Sequence, residues 1–507
     1  MPVNSYERFL NIIFLMNGLV FGSTTISYVS AAIVDYLVLQ RDVTNQLLEC
    51  RRFLRQFQCP SKLSAQVIKQ LANRLSEEVP LKESEVAGLR LLAPTLRTQV
   101  SQATRIPHLE QLPLFSIWNE IDRRCIETLS ATCCSHCFMS REDDLFQPGY
   151  DCSEAWHLIR GQLRYLQRPD TSKVVQSEVT IVEKGTWVSE ASLWSFWSTV
   201  GSMEAHERSC HLLSVSSDGL VQMLQDFPLV LRLAQQYAKN FHACLTSAAP
   251  PHSSWPTDLH IPCTEDVAML LSQHVGLGLM QRGLVSGRLE LSDEDEAYLT
   301  KELMSGKCTL QYSEENGQLE RVVGVANLML KWDPTFDEER DSIRNSTHVL
   351  YQIGAMDVST GKLRLALHMP GTKRWIGESP LYALKRMNMT DLGKFSQHMI
   401  MVDSERRVSV KESTQTLKMR TKTVKTIYRG ILQEWPPDLL STKVDFPRLQ
   451  GLDKDLLQQD LLLLQMSSQV GFYAFLEPDD YYVLEQAQNN EIMRDWFASL
   501  NLEYCIV

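Results

Sequence analysis

The longest apolar run in the chain lies near its beginning. From Phe9 to Val34, 26 residues pass without a charged side chain, enough for roughly 39 Å of helix at about 1.5 Å per residue. That length spans a bilayer with some tilt. A secretory signal would carry a shorter apolar stretch behind a basic start, whereas here Arg8 alone precedes the run and Arg41, Arg51, Arg52 and Arg55 follow it. The segment reads as a membrane helix with everything after about residue 39 in the cytoplasm. Ser23, Ser27 and Ser30 recur at i, i+4 and i+7 and give this helix one mildly polar stripe. Gly18 and Gly22 add a GxxxG pair for close contact with a neighbour. This spacing fits a packed anchor and a pore-lining helix equally.

Past the membrane run, Leu47, Leu48, Phe53, Leu54, Val67, Ile68 and Leu71 recur at helical spacing on both sides of Pro60, which predicts two amphipathic helices. From Leu114 the pattern changes to short apolar strands separated by turns. DDLFQPGY places Pro148 and Gly149 in a turn, and AWHLIRGQLRYL alternates around Gly161 as two strands with a tight turn. Further strands follow up to CHLLSV, then DGLVQMLQDFPLVLRLAQQYAKNF returns to helical periodicity with a break at Pro228. Residues 244–258 are rich in Pro and Ser and read as a linker.

Residues 259–507 read as a separate α+β domain. ERVVGVANLMLKW, THVLYQIGAMDV and KLRLALHM are strand-like, with Ser359, Thr360 and Gly361 forming a hairpin loop between the last two. Helices are expected over 380–388, 415–434 and 454–466. The second of these carries Lys418, Arg420, Lys422, Lys425 and Arg429 among Val424, Ile427, Ile431 and Leu432, and reads as a helix with a solvated basic face or one lying on an anionic membrane.

A length of 507 residues calls for several folded units. The formal charge of −11 argues against a general nucleic-acid binder. Residues 40–112 are locally basic, with eleven Lys and Arg against seven Asp and Glu, which suits membrane lipid nearby. Twelve cysteines at irregular spacing point to reduced cytosolic thiols. Cys133, Cys134, His136 and Cys137 are soft ligands packed closely, yet no second CxxC half completes a zinc site, so they read as buried thiols on a strand with no metal. There is no P-loop, GxSxG, HExxH or kinase signature, so an enzyme is not expected.

The order of several pieces resembles the voltage-gated channels with a cyclic-nucleotide-binding domain, including the hyperpolarisation-activated and ether-a-go-go types. NSYERF is similar to the stretch after the selectivity filter, RRFLRQ with SAQVIKQL to the start of that family's linker, and LRLLAPTLRTQV with HLEQLPLF to its end. The resemblance covers roughly residues 4–243 and implies a last pore-lining transmembrane helix over 1–39, a helical C-linker over 40–112 and a β-roll of cyclic-nucleotide-binding type over 113–243. Under this reading Ser23, Ser27 and Ser30 line the pore. The chain is then part of a longer subunit, because it holds neither a TVGYG-like filter nor an arginine-rich voltage sensor. The expected partners are further copies in a homotetramer, membrane lipid, and monovalent cations in the complete channel. A membrane-anchored regulator carrying the same domain is the competing reading.

In that family the nucleotide is held by a cassette of Phe-Gly-Glu, a short helix, and Arg followed by Thr or Ser and Ala. The matching stretch here runs from Gly185 through Val188, Ser189, Glu190 and Ala191 to Thr199 and Val200. The resemblance gives Glu190 the carboxylate that accepts from ribose. It puts Ser189 in place of the glycine, Thr199 in place of the phosphate arginine and Val200 in place of the next Thr or Ser. Lys184 and Arg208 lie outside the cassette. Trp187, Trp194, Phe196 and Trp197 read as core before they read as a platform for a base. The cassette is therefore degenerate, no cofactor is resident, and cAMP or cGMP binds weakly or not at all.

Overall fold

No proline interrupts the chain between Pro2 and Pro60, and one helix, α1 (Ser5–Gln56), carries the apolar run straight on into the basic segment behind it. The computed structural model describes residues 4–76, 86–207, 209–287, 289–313, 317–333, 348–412, 419–437, 439–447, 449, 459–465, 469–486 and 489–500. They form two units, divided between Leu91 and Leu92. In the first, Ser5–Asp35 of α1 is long and apolar enough to cross a membrane, and Phe9, Leu15, Phe21 and Ile26 on it are all exposed. Where α1 ends, Gln58 turns the chain with φ 50° and the Cys59 N–H donates to Leu54 O at 3.0 Å. Pro60 then leads into α2 (Ser61–Ser76), the break expected from sequence, and α3 (Ala87–Arg90) follows.

The second unit opens with α4 (Pro94–Leu109), α5 (Pro113–Ile121) and α6 (Arg123–Thr132). Proline begins α4 and α5, where its missing N–H costs nothing, and the Asp122 side chain caps α6 by accepting from Arg124 N. Next come β1 (Cys134–Ser140), β2 (Asp144–Phe146), β3 (Asp151–Cys152), β4 (Glu154–Arg160), β5 (Leu163–Gln167), β6 (Glu178–Val182) and β7 (Trp187–Val188). A short helix α7 (Ala191–Trp194) precedes β8 (Trp197–Ser198), β9 (Ser202–Ala205) and β10 (Ser209–Ser216), and α8 (Ser217–Leu224) and α9 (Pro228–Ser247) complete the run.

Two antiparallel four-stranded sheets result, in the orders β1-β10-β4-β7 and β2-β9-β5-β6, with β3 paired to β8. Met139, Leu158, Leu163, Tyr165, Met203 and Leu212 fill the space between them. Gly161 joins β4 to β5 with φ 91°, and a Cβ there would lie 2.8 Å from Ser209 O. The two strands expected around it are present, but each pairs in a different sheet, so Gly161 is a corner rather than a hairpin turn.

The outer face of the first sheet, through Ala155, Leu213 and Val215, packs on Phe115, Trp118, Leu129 and Tyr237 of the helices. The same core continues through Ile261, Leu270, Leu279, Leu303 and Val323. Residues 259–507 are thus not hung on a free linker, and 244–247, assigned to that linker from sequence, are the last turn of α9.

The remaining elements are α10 (Val267–Leu270), α11 (Gln273–Val285), α12 (Asp293–Met304), β11 (Thr309–Tyr312), β12 (Leu319–Trp332), β13 (Val349–Asp357), β14 (Leu363–His368), β15 (Gly371–Lys373), α13 (Pro380–Thr390) and α14 (Gly393–Ser396). After them come β16 (Met399–Glu412), β17 (Arg420–Leu432), β18 (Leu440–Val444), β19 (Gln459–Gln465), β20 (Gln469–Leu476), α15 (Pro478–Glu485) and α16 (Asn490–Ser499). They build a large sheet ordered β16-β17-β12-β13-β20-β19-β18, in which β12 and β17 run parallel. The β13–β14 hairpin and α13 match expectation.

Two expected helices are strands. Over 415–434 the described part is β17, which lies between β16 and β12 with Val424, Ile427, Tyr428, Ile431 and Leu432 all buried. A strand covered on both faces loses its period of two, and its apolar positions then match a helical template by chance. The basic amphipathic helix proposed there does not form. Over 454–466 the described part is β19, whose Leu461, Leu462, Leu463 and Leu464 are all buried, for the same reason. Residues 415–418, 454–458 and 466 lie outside the described residues.

Candidate functional site

The cassette expected from sequence surrounds α7, and its residues face in several directions. Gly185 turns the chain with φ 91°, its N–H donating to Leu158 O at 2.7 Å. Val188 and Ala191 are buried core residues. Ser189 holds φ 55°, a conformation that suits the glycine the family pattern has there. Glu190 turns inward, its Oε1 accepting from Trp194 Nε1 and from the Tyr237 hydroxyl at 3.2 Å each. Burial raises the Glu190 carboxyl, and these donors oppose the rise. A carboxylate spent on core aromatics is not offered to a ribose. Thr199 is buried and donates from Oγ1 to Gln147 O at 2.5 Å, so its side chain braces the 147–150 turn.

The backbone next to Thr199 does converge on an anion, and that anion belongs to the chain itself. Asp258 Oδ2 accepts from Val200 N at 2.9 Å, Gly201 N at 2.9 Å and the Tyr165 hydroxyl at 2.7 Å, while Oδ1 accepts from Trp197 Nε1 at 2.7 Å. Asp258 is 2% exposed. Its main chain is held as well, with Ser189 N donating to Asp258 O at 2.6 Å. Burial first, and then the adjoining Asp258 charge, push the Tyr165 phenol far up, so it stays a donor. Gly201 permits the approach, since a Cβ there would come 2.5 Å from the Tyr165 ring.

The strap that delivers Asp258 is irregular because Pro250, Pro251 and Pro256 lack N–H groups for a ladder. It turns at Thr257, whose Oγ1 accepts from Leu259 N and His260 N, placing Asp258 at the tip. Trp255 on the strap sits under Lys173, 5.3 Å from its ring centre.

Sequence reasoning singled out Val200, and named Trp197 only as an aromatic. Asp258, Tyr165 and Gly201 were missed. The Thr-Asp pair after Pro256 signals a turn, but nothing in the sequence says which donors that turn meets. The residues do not fit a cyclic nucleotide as the family holds one, because the arginine position braces a turn, the carboxylate faces the core and the amides are taken. Lys184 is exposed, and Arg208 lies outside the described residues.

A second cluster lies on the outer face of the first sheet, against α4. His136, Leu213 and His157 stand in one cross-strand row and so share a face. His136 Nδ1 and His211 Nε2 are 2.9 Å apart, and the His108 and His157 rings are 5.6 Å apart. Burial lowers all four, His157 and His211 to about 4; Arg105 and His108 add to the shift of His136, His108 to that of His157, and His136, His108 and Arg160 to that of His211. Cys134 and Cys137 are three apart on β1 and face opposite cores. Among the described residues no group of three such side chains is placed to hold a metal.

Ser23, Ser27 and Ser30 are exposed on α1, and the Ser23 hydroxyl bonds back to Val20 O at 3.0 Å. Gly18 and Gly22 have nothing within 4 Å of a Cβ position.

No protein-family model matches the chain, and no curated protein matches it.

Proposed function

We propose that the chain is part of a subunit of a tetrameric cation channel, a potassium or non-selective one, with a cyclic-nucleotide-binding-type roll whose pocket is closed by Asp258. The observation that carries this reading is the order of parts: an apolar helix continuous with a basic helical linker, then helices, then two sheets ordered β1-β10-β4-β7 and β2-β9-β5-β6 with a short helix after β7, then two helices. That order supports a ring of linkers around a pore, with α1 lining it and the rest of the chain in the cytoplasm. The full chain in detergent is expected to be a tetramer by light scattering, and protease added outside sealed microsomes is expected to digest everything after α1. A strictly monomeric chain would favour the membrane-anchored regulator instead, and a tail protected in the lumen would overturn the topology.

The pocket reading predicts weak nucleotide binding. A charge-assisted bond from an arginine to phosphate is worth about 1.5–3 kcal/mol, or roughly ten- to a hundredfold in affinity. That bond is missing here, and Asp258 must also leave. Titration calorimetry of the full chain with cAMP or cGMP is expected to give a Kd no tighter than about 100 μM. Low-micromolar binding would mean that another cation holds the phosphate.

A further inference from the structure

The strap carrying Asp258 touches the roll at its tip, but it is gripped on both flanks by one strand of the C-terminal sheet. That strand is β16, at the edge of the sheet order. Ser404 and Arg406 are two residues apart on it and therefore share a face. The Ser404 hydroxyl donates to His252 O at 2.6 Å, upstream of the tip. Arg406 Nη2 reaches both carboxylate oxygens of Asp266 at 2.9 Å, downstream of it. Asp266 is 3% exposed, whereas Arg406 stays in reach of solvent, so the carboxylate rather than the guanidinium is the buried half of this pair. The His252 ring also stands edge-on to Tyr428 of the neighbouring strand, at 6.1 Å.

Pinning both flanks restricts Asp258 to the neighbourhood of its donors and raises its effective concentration there, without adding any bond at the cradle itself. An outside anion must then compete with a tethered one. Releasing Ser404 from His252 lengthens the free loop upstream and lowers that local concentration; downstream the Arg406 contact acts together with buried Ile261. The four donors are uncharged and suit one carboxylate or one phosphate face.

We infer that β16 is a clamp that keeps the chain's own carboxylate in the cradle, an autoinhibitory contact through which the C-terminal sheet governs access of an outside small anion to Tyr165, Trp197, Val200 and Gly201. The clamp goes beyond the channel reading and holds whether or not the chain forms a pore, since it rests only on the strap and its contacts.

The test is hydrogen exchange of the full chain in detergent, followed on peptides covering 198–205 and 249–257. In Arg406→Gln combined with Ser404→Ala, exchange over Val200, Gly201 and the strap is expected to rise by about tenfold or more, while β1, β4 and β10 keep wild-type rates. Adding 50 mM acetate, roughly in the range of such tethered concentrations, is expected to restore protection at Val200 and Gly201 but not in the strap. Asp258→Asn is the control that weakens the cradle directly. Unchanged exchange at Val200 and Gly201 in the double variant, with acceleration in Asp258→Asn, would overturn the clamp. No acceleration in Asp258→Asn would overturn the closed cradle itself. If every strand of the double variant exchanges faster, the single Ser404→Ala variant decides on the same peptides, with wild-type protection there counting against the clamp.

Discussion

Replacing Asp258 by alanine is expected to lower the stability of the second unit by about 3–5 kcal/mol, as large a loss as a single buried polar contact produces. The carboxylate is buried and meets four donors. Its removal leaves a phenol, an indole N–H and two amides without an acceptor, each costing about 1–3 kcal/mol in isolation. Water entering the gap recovers part of that. Asp258→Asn keeps one acceptor but points an amide NH2 at donors, so it is expected to fall nearer the alanine variant than the wild type. Urea unfolding followed by tryptophan fluorescence measures the loss. Acetate or inorganic phosphate is expected to raise the midpoint of Asp258→Ala and leave the wild type unmoved, because only the variant presents a free cradle. A variant as stable as the wild type would show that the four bonds contribute nothing net.

The second large effect is acid sensitivity. Burial holds His157 and His211 at about 4 in the folded chain, against about 6.5 when unfolded, and lowers His108 and His136 as well. Below pH 6.5 the unfolded chain binds protons that the folded chain refuses, so the stability these groups contribute is complete above pH 6.5 and is lost progressively toward pH 4. At pH 5 the loss is about 2 kcal/mol for each of His157 and His211. The groups facing them are Arg105 and His108 on α4, His136 on β1 and Arg160 on β4; the electrostatic influences of Arg105, Arg160 and the other rings all work against a further positive charge. Burial would raise the Glu302 carboxyl, but Arg321 and Lys373 outweigh it and hold the group below its usual range. The stability lost between pH 7 and pH 5 in urea unfolding should be smaller by about 2 kcal/mol in His157→Phe or in His211→Phe than in the wild type, and smaller again in the double variant. Equal slopes in wild type and variants would assign the acid loss to other groups.

Much of the architecture was legible because local signals and tertiary packing agree in the first half of the chain. Pro60 and Pro228 mark helix boundaries that α1, α2 and α9 obey, since the ring removes an N–H that the first turn of a helix does not need; Pro107, within α4, shows that the signal is not absolute. Gly149 and Gly161 mark turns for a similar reason, both holding positive φ. The apolar run before Val34 is legible from length and charge alone. In the second half these signals fail where strands are covered on both faces. Leu461 to Leu464 and the interior of β17 alternate with nothing, and only their neighbours in the sheet tell a strand from a helix.

The sequence by itself determined the apolar helix, the basic linker, the alternating strands and the absence of an arginine at Thr199, because each is a property of residues adjacent along the chain. What fills the pocket was decided only in three dimensions. Tyr165 comes from β5, Trp197 and Gly201 from β8 and the turn after it, and Asp258 from the strap, and no spacing along the chain relates these three segments. The strap read as a linker from its prolines, which is correct for its backbone and silent about its tip. A hydrogen bond is set by the approach of two groups within about 3 Å, and folding brings the Asp258 carboxylate to four donors while Ser404 and Arg406 hold the chain on either side.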